Sequence, residues 1–125
     1  MRVTLNNRKG FVMQTQTVLN QVSEGMDVYD ASGDHMGKAV YIRFGEPVSE
    51  ADMPDNVTIA EELTEALGGS VEIPTVVYGR LYREGFVRFD RGLLRHDGFV
   101  FPNQIAYVND DGVHLNVVKD EVFVP

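Results

Sequence analysis

The sequence predicts a mainly β fold: a small barrel or curled sheet with one or two short helices beside it. Several short runs of β-branched and aromatic residues are separated by turn signals, and clear helical periodicity is confined to one region. The 125 residues correspond to one ordinary domain. Closing a small sheet into a barrel would remove the exposed edges that recruit other strands.

The chain divides into an N-terminal tail or extra strand over residues 1–21 and a domain over residues 22–125. Residues 1–10 are polar and basic. Residues 11–19 partly alternate and are rich in β-formers, which favours a first strand.

The best-defined strand signal is a hairpin. In the segment MDVYD, Met26, Val28 and Asp30 point to one side and Asp27 and Tyr29 to the other. A second β-rich run, KAVYIRF, follows the turn segment ASGDHMG. The turn contains Gly33, which can adopt the positive φ that a tight turn requires.

An acidic loop and helix, at about residues 46–69, follows the hairpin. Eight acids and no lysine or arginine occur between Phe44 and Gly79. Thr58 and Glu61 have the spacing of a capping box, and Gly68-Gly69 would end the helix. Its apolar stripe is predicted to comprise Ile59, Leu63, Ala66 and Leu67.

A second helix is predicted from about Thr75 to Glu84. Its β-branched start also fits a strand, but Pro74 suits a helix start and Gly85 a helix end. Val77 and Leu81 are four residues apart, as neighbours on one helix face are.

The C-terminal part consists of strands and turns. FVRFDR is a strand, FVFPNQIAYV is broken at Pro102, NDDG is a turn and VHLNVV alternates. The predicted core comprises Val28, Val40, Ile42, Val87, Phe89, Ile105, Val108, Val113, Leu115 and Val117.

Composition narrows the class of protein. The net charge of −8 argues against general binding of nucleic acid or anionic lipid. The chain has no cysteine, which fits a reducing compartment, and no stretch approaches the length of a membrane span. We see no signal-peptide pattern and expect a soluble, cytoplasmic protein.

The loop from Asp30 to Gly37 resembles a calcium-binding loop only in part. Counted from Asp30, Ser32 and Asp34 match, but the sixth residue is His35 instead of glycine and the twelfth is Tyr41 instead of glutamate. We therefore interpret the loop as a turn and expect no metal or other cofactor.

No catalytic constellation is evident. His35, His96 and His114 lack short metal-ligand spacing, and no serine has the context of a nucleophile elbow. His96-Asp97 could be half of a catalytic pair, but only if the fold brought a nucleophile to it. We expect no enzyme, and a hydrolase-like activity is the less favoured alternative.

An arginine-rich segment is the main candidate interaction surface. Arginine and aromatic residues are enriched at protein interfaces, and both also stack on single-stranded RNA. The alternative is a solvated face whose aromatic residues belong to the core. The arginines are Arg80, Arg83, Arg88, Arg91 and Arg95.

Two segments resemble the PRC-barrel family. GMDVYDASGDHMGKAVYI is similar to that family's opening hairpin, with Gly25, Val28, Asp30, Gly33 and Gly37 at the matching places. GFVRFDRGLLRHDGFVFPNQIAYVNDDGVHLNVVKDEV is similar to its later strands. The resemblance covers roughly residues 22–122. The acidic insertion and the first twenty residues depart from it.

The resemblance implies a small barrel that acts as a non-catalytic adaptor. Members include the H subunit of photosynthetic reaction centres and a ribosome maturation factor. We therefore expect binding to another protein, or to a second copy through the opposite charges of the acidic and arginine-rich segments. A ribosome- or RNA-linked role and a small-molecule- or metal-binding barrel are the alternatives, and nucleic acid is the less favoured partner.

Overall fold

The structure, a computed structural model, describes residues 18–68, 73–93 and 95–125. Short 3₁₀ turns lie at Glu50–Asp52, Pro102–Gln104 and Lys119–Glu121. The strands and helices, in chain order, are β1 (Asp27–Tyr29), β2 (His35–Phe44), α1 (Asn56–Leu63), α2 (Thr75–Glu84), β3 (Gly85–Asp90), β4 (Gly98–Val100), β5 (Ile105–Asn109) and β6 (Gly112–Leu115).

The strands form one mixed sheet in the order β4-β3-β2-β1-β6-β5. Strands β1 and β6 pair in parallel, and the other neighbours pair antiparallel. The predicted mainly β class is confirmed. The predicted barrel is not supported, because the outer strands β4 and β5 do not pair within the described residues and the sheet is open. The edge at β4 is met instead by the C-terminal segment, where Phe99 N donates to Phe123 O at 2.9 Å.

Two apolar clusters lie on opposite faces of the β3–β4 part of the sheet. Successive residues of a strand point to opposite faces, so Phe86 joins the cluster formed with α1 and α2 while Val87 joins the other. Phe99 and Val100 divide in the same way. This double burial explains why β3 and β4 are apolar runs without clean alternation.

The predicted hairpin is formed by β1 and β2, and most of the predicted core is buried. Val40 is an exception. It is half-buried and lies outside the clusters, while its neighbour Ala39 is fully buried. The register of β2 with β3 shifts between Ala39 and Tyr41, and such a bulge interrupts the alternation from which Val40 was predicted.

The first helix begins before its predicted start. α1 starts at Asn56, and its N-cap is Asp55, whose side chain accepts a hydrogen bond from Thr58 N at 2.8 Å. The predicted capping box of Thr58 and Glu61 is therefore wrong: Thr58 supplies a backbone donor inside the first turn. The predicted apolar stripe is buried, and Gly68 adopts a φ of +81° after the helical turn that follows α1.

The second helix has the predicted bounds, and Gly85 ends it with a φ of +77°. Leu81 is buried in the helix-side cluster, and Val77 packs against that cluster. α2 leads directly into β3, so the helix and the central strands share one core.

The predicted first strand over residues 11–19 lies largely outside the described residues. Residues 18–20, which the structure describes, are helical. Leu19 and Val22 are buried in the cluster that also contains Val28 and Val113. The strand prediction is therefore wrong where it meets the described chain.

Candidate functional site

A groove of about 350 Å³ lies at one end of the β2–β3 pair. We call it the basic groove and define it by its charged and titratable lining: His35, Lys38, Asp90, Arg91 and Arg95. Three of these side chains are cationic and one is anionic, on a chain whose net charge is −8. The groove therefore concentrates positive charge on an acidic protein.

Strand pairing brings the two sides of the groove together. Lys38 near the start of β2 pairs with Asp90 at the end of β3. The arginines lie on the connection that leaves β3, and His35 lies at the first residue of β2. The groove thus combines two segments that are more than fifty residues apart in the chain.

The turn before β2 is organised by Asp30. This carboxylate is buried; its Oδ1 accepts from the backbone N–H groups of Ser32 and Asp34 at 2.9 Å, and its Oδ2 accepts from Lys119 N at 3.0 Å. Burial alone would raise the pKa of Asp30, but the backbone donors outweigh it and the net direction is downward. The predicted turn is confirmed, and Asp30 also ties it to the C-terminal segment.

Asp27 neutralises part of the charge beside the groove. Its Oδ1 lies 2.8 Å from Lys38 Nζ and 2.9 Å from His35 Nε2. The hydrogen bond with Lys38, followed by the one with His35, lowers the pKa of Asp27, and the same contact raises the pKa of Lys38. Lys38 is therefore cationic but already paired.

Arg91 and Arg95 carry the remaining positive charge of the groove. Arg91 Nη1 donates to the backbone oxygen of His96 at 3.3 Å, which holds the guanidinium across its own loop. Arg95 is exposed, and within the described ranges its side chain makes no ion pair. Leu93, which lies between them in sequence, is 91% exposed.

The other three predicted arginines lie elsewhere. Arg80 Nε lies 3.2 Å from both carboxylate oxygens of Glu84, and its guanidinium lies 3.6 Å above the Phe101 ring. Arg83 is exposed near the end of α2.

Arg88 packs against its own chain. Its side chain is 14% exposed, and its Nε lies 3.6 Å from Asp97 Oδ2. Its guanidinium also lies 5.7 Å from the Tyr41 ring centre. The arginine segment therefore does not form one surface: Arg91 and Arg95 share the groove, while Arg80 and Arg88 pack against their own chain.

A row of aromatic rings crosses the sheet next to the groove, and sequence reasoning did not find it. We call it the aromatic ladder: Tyr107, His114, Tyr29 and His35. Tyr107 and His114 stack with ring centres 4.5 Å apart, and Tyr29 stacks on His114 at 5.2 Å. His35 meets Tyr29 edge-on at 5.4 Å and also lines the groove. The missing information was the parallel β1–β6 pairing, which places Tyr29 beside His114.

Comparisons of the chain with protein-family models, curated proteins and solved structures found no match. Within the described residues, no helix is long and apolar enough to cross a membrane. In the same part of the chain, no group of three or more His, Asp or Glu side chains is arranged to hold a metal ion. The site must therefore be interpreted from its own geometry.

Proposed function

We propose that the protein is a non-catalytic interaction module that binds an acidic segment of a partner protein in the basic groove. The observation that carries the proposal is that Arg91 and Arg95 line one groove, beside the Asp27-paired Lys38, on a chain of net charge −8. Arginine binds carboxylates through a planar, bidentate fork, which favours an acidic peptide as ligand.

The exposed Leu93 supports a protein ligand. Leu93 is two residues from each arginine in sequence, so an exposed apolar side chain and two cations occur in one short segment, and protein interfaces combine apolar and charged parts. Arg95 is exposed and Arg91 is half-buried, and charges at such a rim are expected to act mainly on association rate and specificity.

The resemblance to PRC-barrel domains supports the same class, because that family's role implies binding without catalysis. The open sheet of the described residues lacks the closure of a barrel, so the proposed family relationship rests only on the residues quoted above. A cytoplasmic setting is part of the proposal and rests on the absence of cysteine.

The test is a fluorescence-anisotropy titration with a labelled peptide rich in glutamate and leucine, and a matched peptide with glutamine in place of glutamate. Arg91→Glu and Arg95→Glu are each expected to weaken binding of the acidic peptide by about three- to tenfold, since one exposed charge contact contributes roughly 0.2–1 kcal/mol and reversal adds repulsion. Arg83→Glu changes the net charge equally outside the groove and is expected to leave the affinity within about twofold.

Three results would contradict the proposal: no binding of the acidic peptide at low salt, equal binding of the glutamine peptide, or equal loss in all three variants. The last would mean that the net charge of the protein, not the groove, governs affinity. Circular dichroism of each variant first establishes that it is folded.

A small organic anion is the second candidate ligand, because about 350 Å³ is within the range of small-molecule sites. Succinate and inorganic phosphate in the same titration test this class: competition at micromolar concentration by either would favour it over a peptide. Labelled oligouridine tests the RNA-linked alternative, whose binding should weaken steeply with salt.

A further inference from the structure

The basic groove contains a side chain whose charge depends on pH. Among the described residues that line the groove, His35 is the histidine, the residue type that ordinarily changes charge between about pH 5 and 8. Lysine and arginine stay cationic over that interval, and aspartate ordinarily stays anionic. The His35 side chain is 51% exposed, so it exchanges protons with water. The charge of the groove therefore changes with pH through this ring.

Two contacts hold the His35 ring at the groove. Its register partner on β1 is Tyr29, whose ring it meets edge-on with ring centres 5.4 Å apart. On the same strand, Asp27 Oδ1 lies 2.9 Å from His35 Nε2. The ring therefore has a defined place in the lining, and a change in its charge acts at the groove itself.

Protonation of His35 adds a hydrogen-bond donor as well as a charge. A neutral imidazole carries one N–H, and with the proton on Nε2 that N–H donates to Asp27 Oδ1. The second proton goes to Nδ1, for which the described part of the chain supplies no hydrogen-bond partner. A ligand carboxylate can accept from that second N–H, and hydrogen bonds between charged groups are the stronger ones.

The charges that face His35 nearly cancel while the ring is neutral. Contacts with Lys38 and His35 lower the pKa of Asp27, so its carboxylate stays ionised near neutral pH. The charged and titratable groups that face the ring from β1, β2 and the end of β3 with its following loop are Asp27, Tyr29, Lys38, Asp90, Arg91 and Arg95. Their three cations and two carboxylates leave a surplus of one positive charge, and protonation of His35 doubles that surplus.

Two other titratable groups adjoin this set. Asp34, in the turn before β2, has its Oδ2 3.7 Å from Lys119 Nζ, so its charge is already paired. His114 on β6 stacks on Tyr29, which lies between it and His35 in the aromatic ladder. Neither group lines the groove, so His35 is the histidine whose charge a ligand in the groove would meet.

We propose that His35 is a ligand-binding residue of the basic groove, which takes up a proton as an acidic segment binds and holds that segment more tightly as pH falls. The inference rests on the proposed function and adds the regulation of the same site. An anionic ligand beside the ring stabilises the imidazolium, and by linkage the imidazolium strengthens ligand binding by the same factor. The groove therefore binds its ligand less tightly as pH rises through the neutral range.

The test is the anisotropy titration of the full chain with the labelled peptide rich in glutamate and leucine, at fixed ionic strength and at several pH values. Wild type is expected to bind about two- to fivefold more tightly at about pH 5.5 than at about pH 8, the effect of one half-exposed charge. His35→Gln should keep the weaker, high-pH affinity throughout. His35→Arg, which is permanently charged, should keep the tighter, low-pH affinity throughout.

His96→Gln is the matched control. The chain has three histidines, and His96 lies next to Arg95 in sequence but does not line the groove. Its contact with Arg91 is made by the backbone oxygen, which the substitution keeps. This variant should show the same pH dependence as wild type.

Calorimetry measures the proton directly. Peptide binding near neutral pH is followed in two buffers with different heats of ionisation, and the difference in observed heat gives the protons taken up. We expect uptake of a fraction of one proton by wild type and by His96→Gln, and none by His35→Gln. A purely structural role of His35 would change the affinity without removing proton uptake.

A wild-type affinity that does not change with pH would overturn the inference and leave the proposed function standing. So would a pH dependence and proton uptake that His35→Gln keeps, because another group would then carry the proton. Absence of peptide binding at every pH would instead contradict the proposed function, and the inference with it. Circular dichroism at each pH first establishes that the variants are folded.

Discussion

Replacing Arg88 with glutamate should destabilise the fold. The side chain is 14% exposed and lies over Tyr41, with its Nε 3.6 Å from Asp97 Oδ2. The Nε atom itself is buried without a hydrogen-bond partner, so the contact with Asp97 is an ion contact. Glutamate at this position would place a second carboxylate beside the first.

The size of the effect follows from the separation and the exposure of the pair. At 3.6 Å, opposite unit charges interact by about 5 kcal/mol with an effective dielectric constant of about 20. Asp97 is 32% exposed, which screens the interaction, and desolvation of Arg88 offsets part of it. We therefore expect Arg88→Glu to reduce the free energy of unfolding by about 2–4 kcal/mol.

Arg88→Met separates charge from packing. Methionine keeps the apolar stem against Tyr41, and Asp97 is exposed enough to regain water, so we expect a loss within about 1 kcal/mol. Urea unfolding followed by circular dichroism measures both variants. With a slope of about 2 kcal/mol per molar urea, Arg88→Glu should lower the midpoint by about 1–2 M.

If Arg88→Glu unfolds at the wild-type midpoint, then Arg88 is not an internal ion contact, and it belongs with Arg91 and Arg95 as a surface residue. If Arg88→Met is as damaging as Arg88→Glu, the loss comes from packing and not from charge. Either result would contradict the reasoning from burial and distance.

Two other predictions follow from backbone geometry and from pKa. Gly112→Ala should lower the free energy of unfolding by about 2–4 kcal/mol in urea unfolding, because φ is +139° and the added Cβ would overlap the Asp27 carbonyl oxygen. Gly33→Ala is the control: φ is +88° but the space around the added Cβ is open, so the free energy of unfolding should fall by only about 1 kcal/mol. Equal losses in the two variants would contradict the overlap at Gly112. Asp30→Ala should destabilise the protein fully above the ordinary pKa of 3.8, and the gap to wild type should narrow as pH falls through the lower folded-state pKa, in thermal melts between pH 7 and pH 2. A gap that is constant with pH would mean that the ionised carboxylate does not stabilise the turn.

Local signals predicted the elements whose stabilising contacts are near in sequence. The bounds of α2 follow from Pro74 at its start and Gly85 at its end, with Val77 and Leu81 four residues apart on one helix face. All of these signals lie within one segment. The hairpin turn follows similarly from Asp30 and Gly33, whose backbone N–H donates to Asp30 O at 2.9 Å. A turn of this kind needs no distant partner to form.

The start of α1 shows how two good local signals compete. Asp55 and Thr58 are both suitable N-cap residues. Three residues after Asp55 lies the backbone N–H of Thr58, and three residues after Thr58 lies the acid Glu61. The structure uses Asp55, whose carboxylate accepts from Thr58 N. The backbone can follow one of the two caps, and sequence spacing alone does not rank them.

Arg88 and Arg91 show how far the candidate site could be predicted from the sequence. The sequence shows that arginines and aromatic residues interleave along residues 78–95. In a strand this pattern predicts which residues share a face, but it does not predict which other parts of the chain pack on that face. Packing against Tyr41 and Asp97 places Arg88 inside, whereas the loop after β3 leaves Arg91 at the groove.

By itself, the sequence determined the mainly β class, the hairpin, α2 and most of the apolar core, because turn chemistry and periodicity act over a few residues. The tertiary structure alone decided that the sheet formed by the described residues is open, that β1 and β6 pair in parallel, and that the groove and the aromatic ladder meet at His35. The strand pairs behind these features join residues 50 to 90 positions apart in the chain. Which strands pair depends on the free energy of the whole folded sheet, because no local sequence pattern acts over such distances.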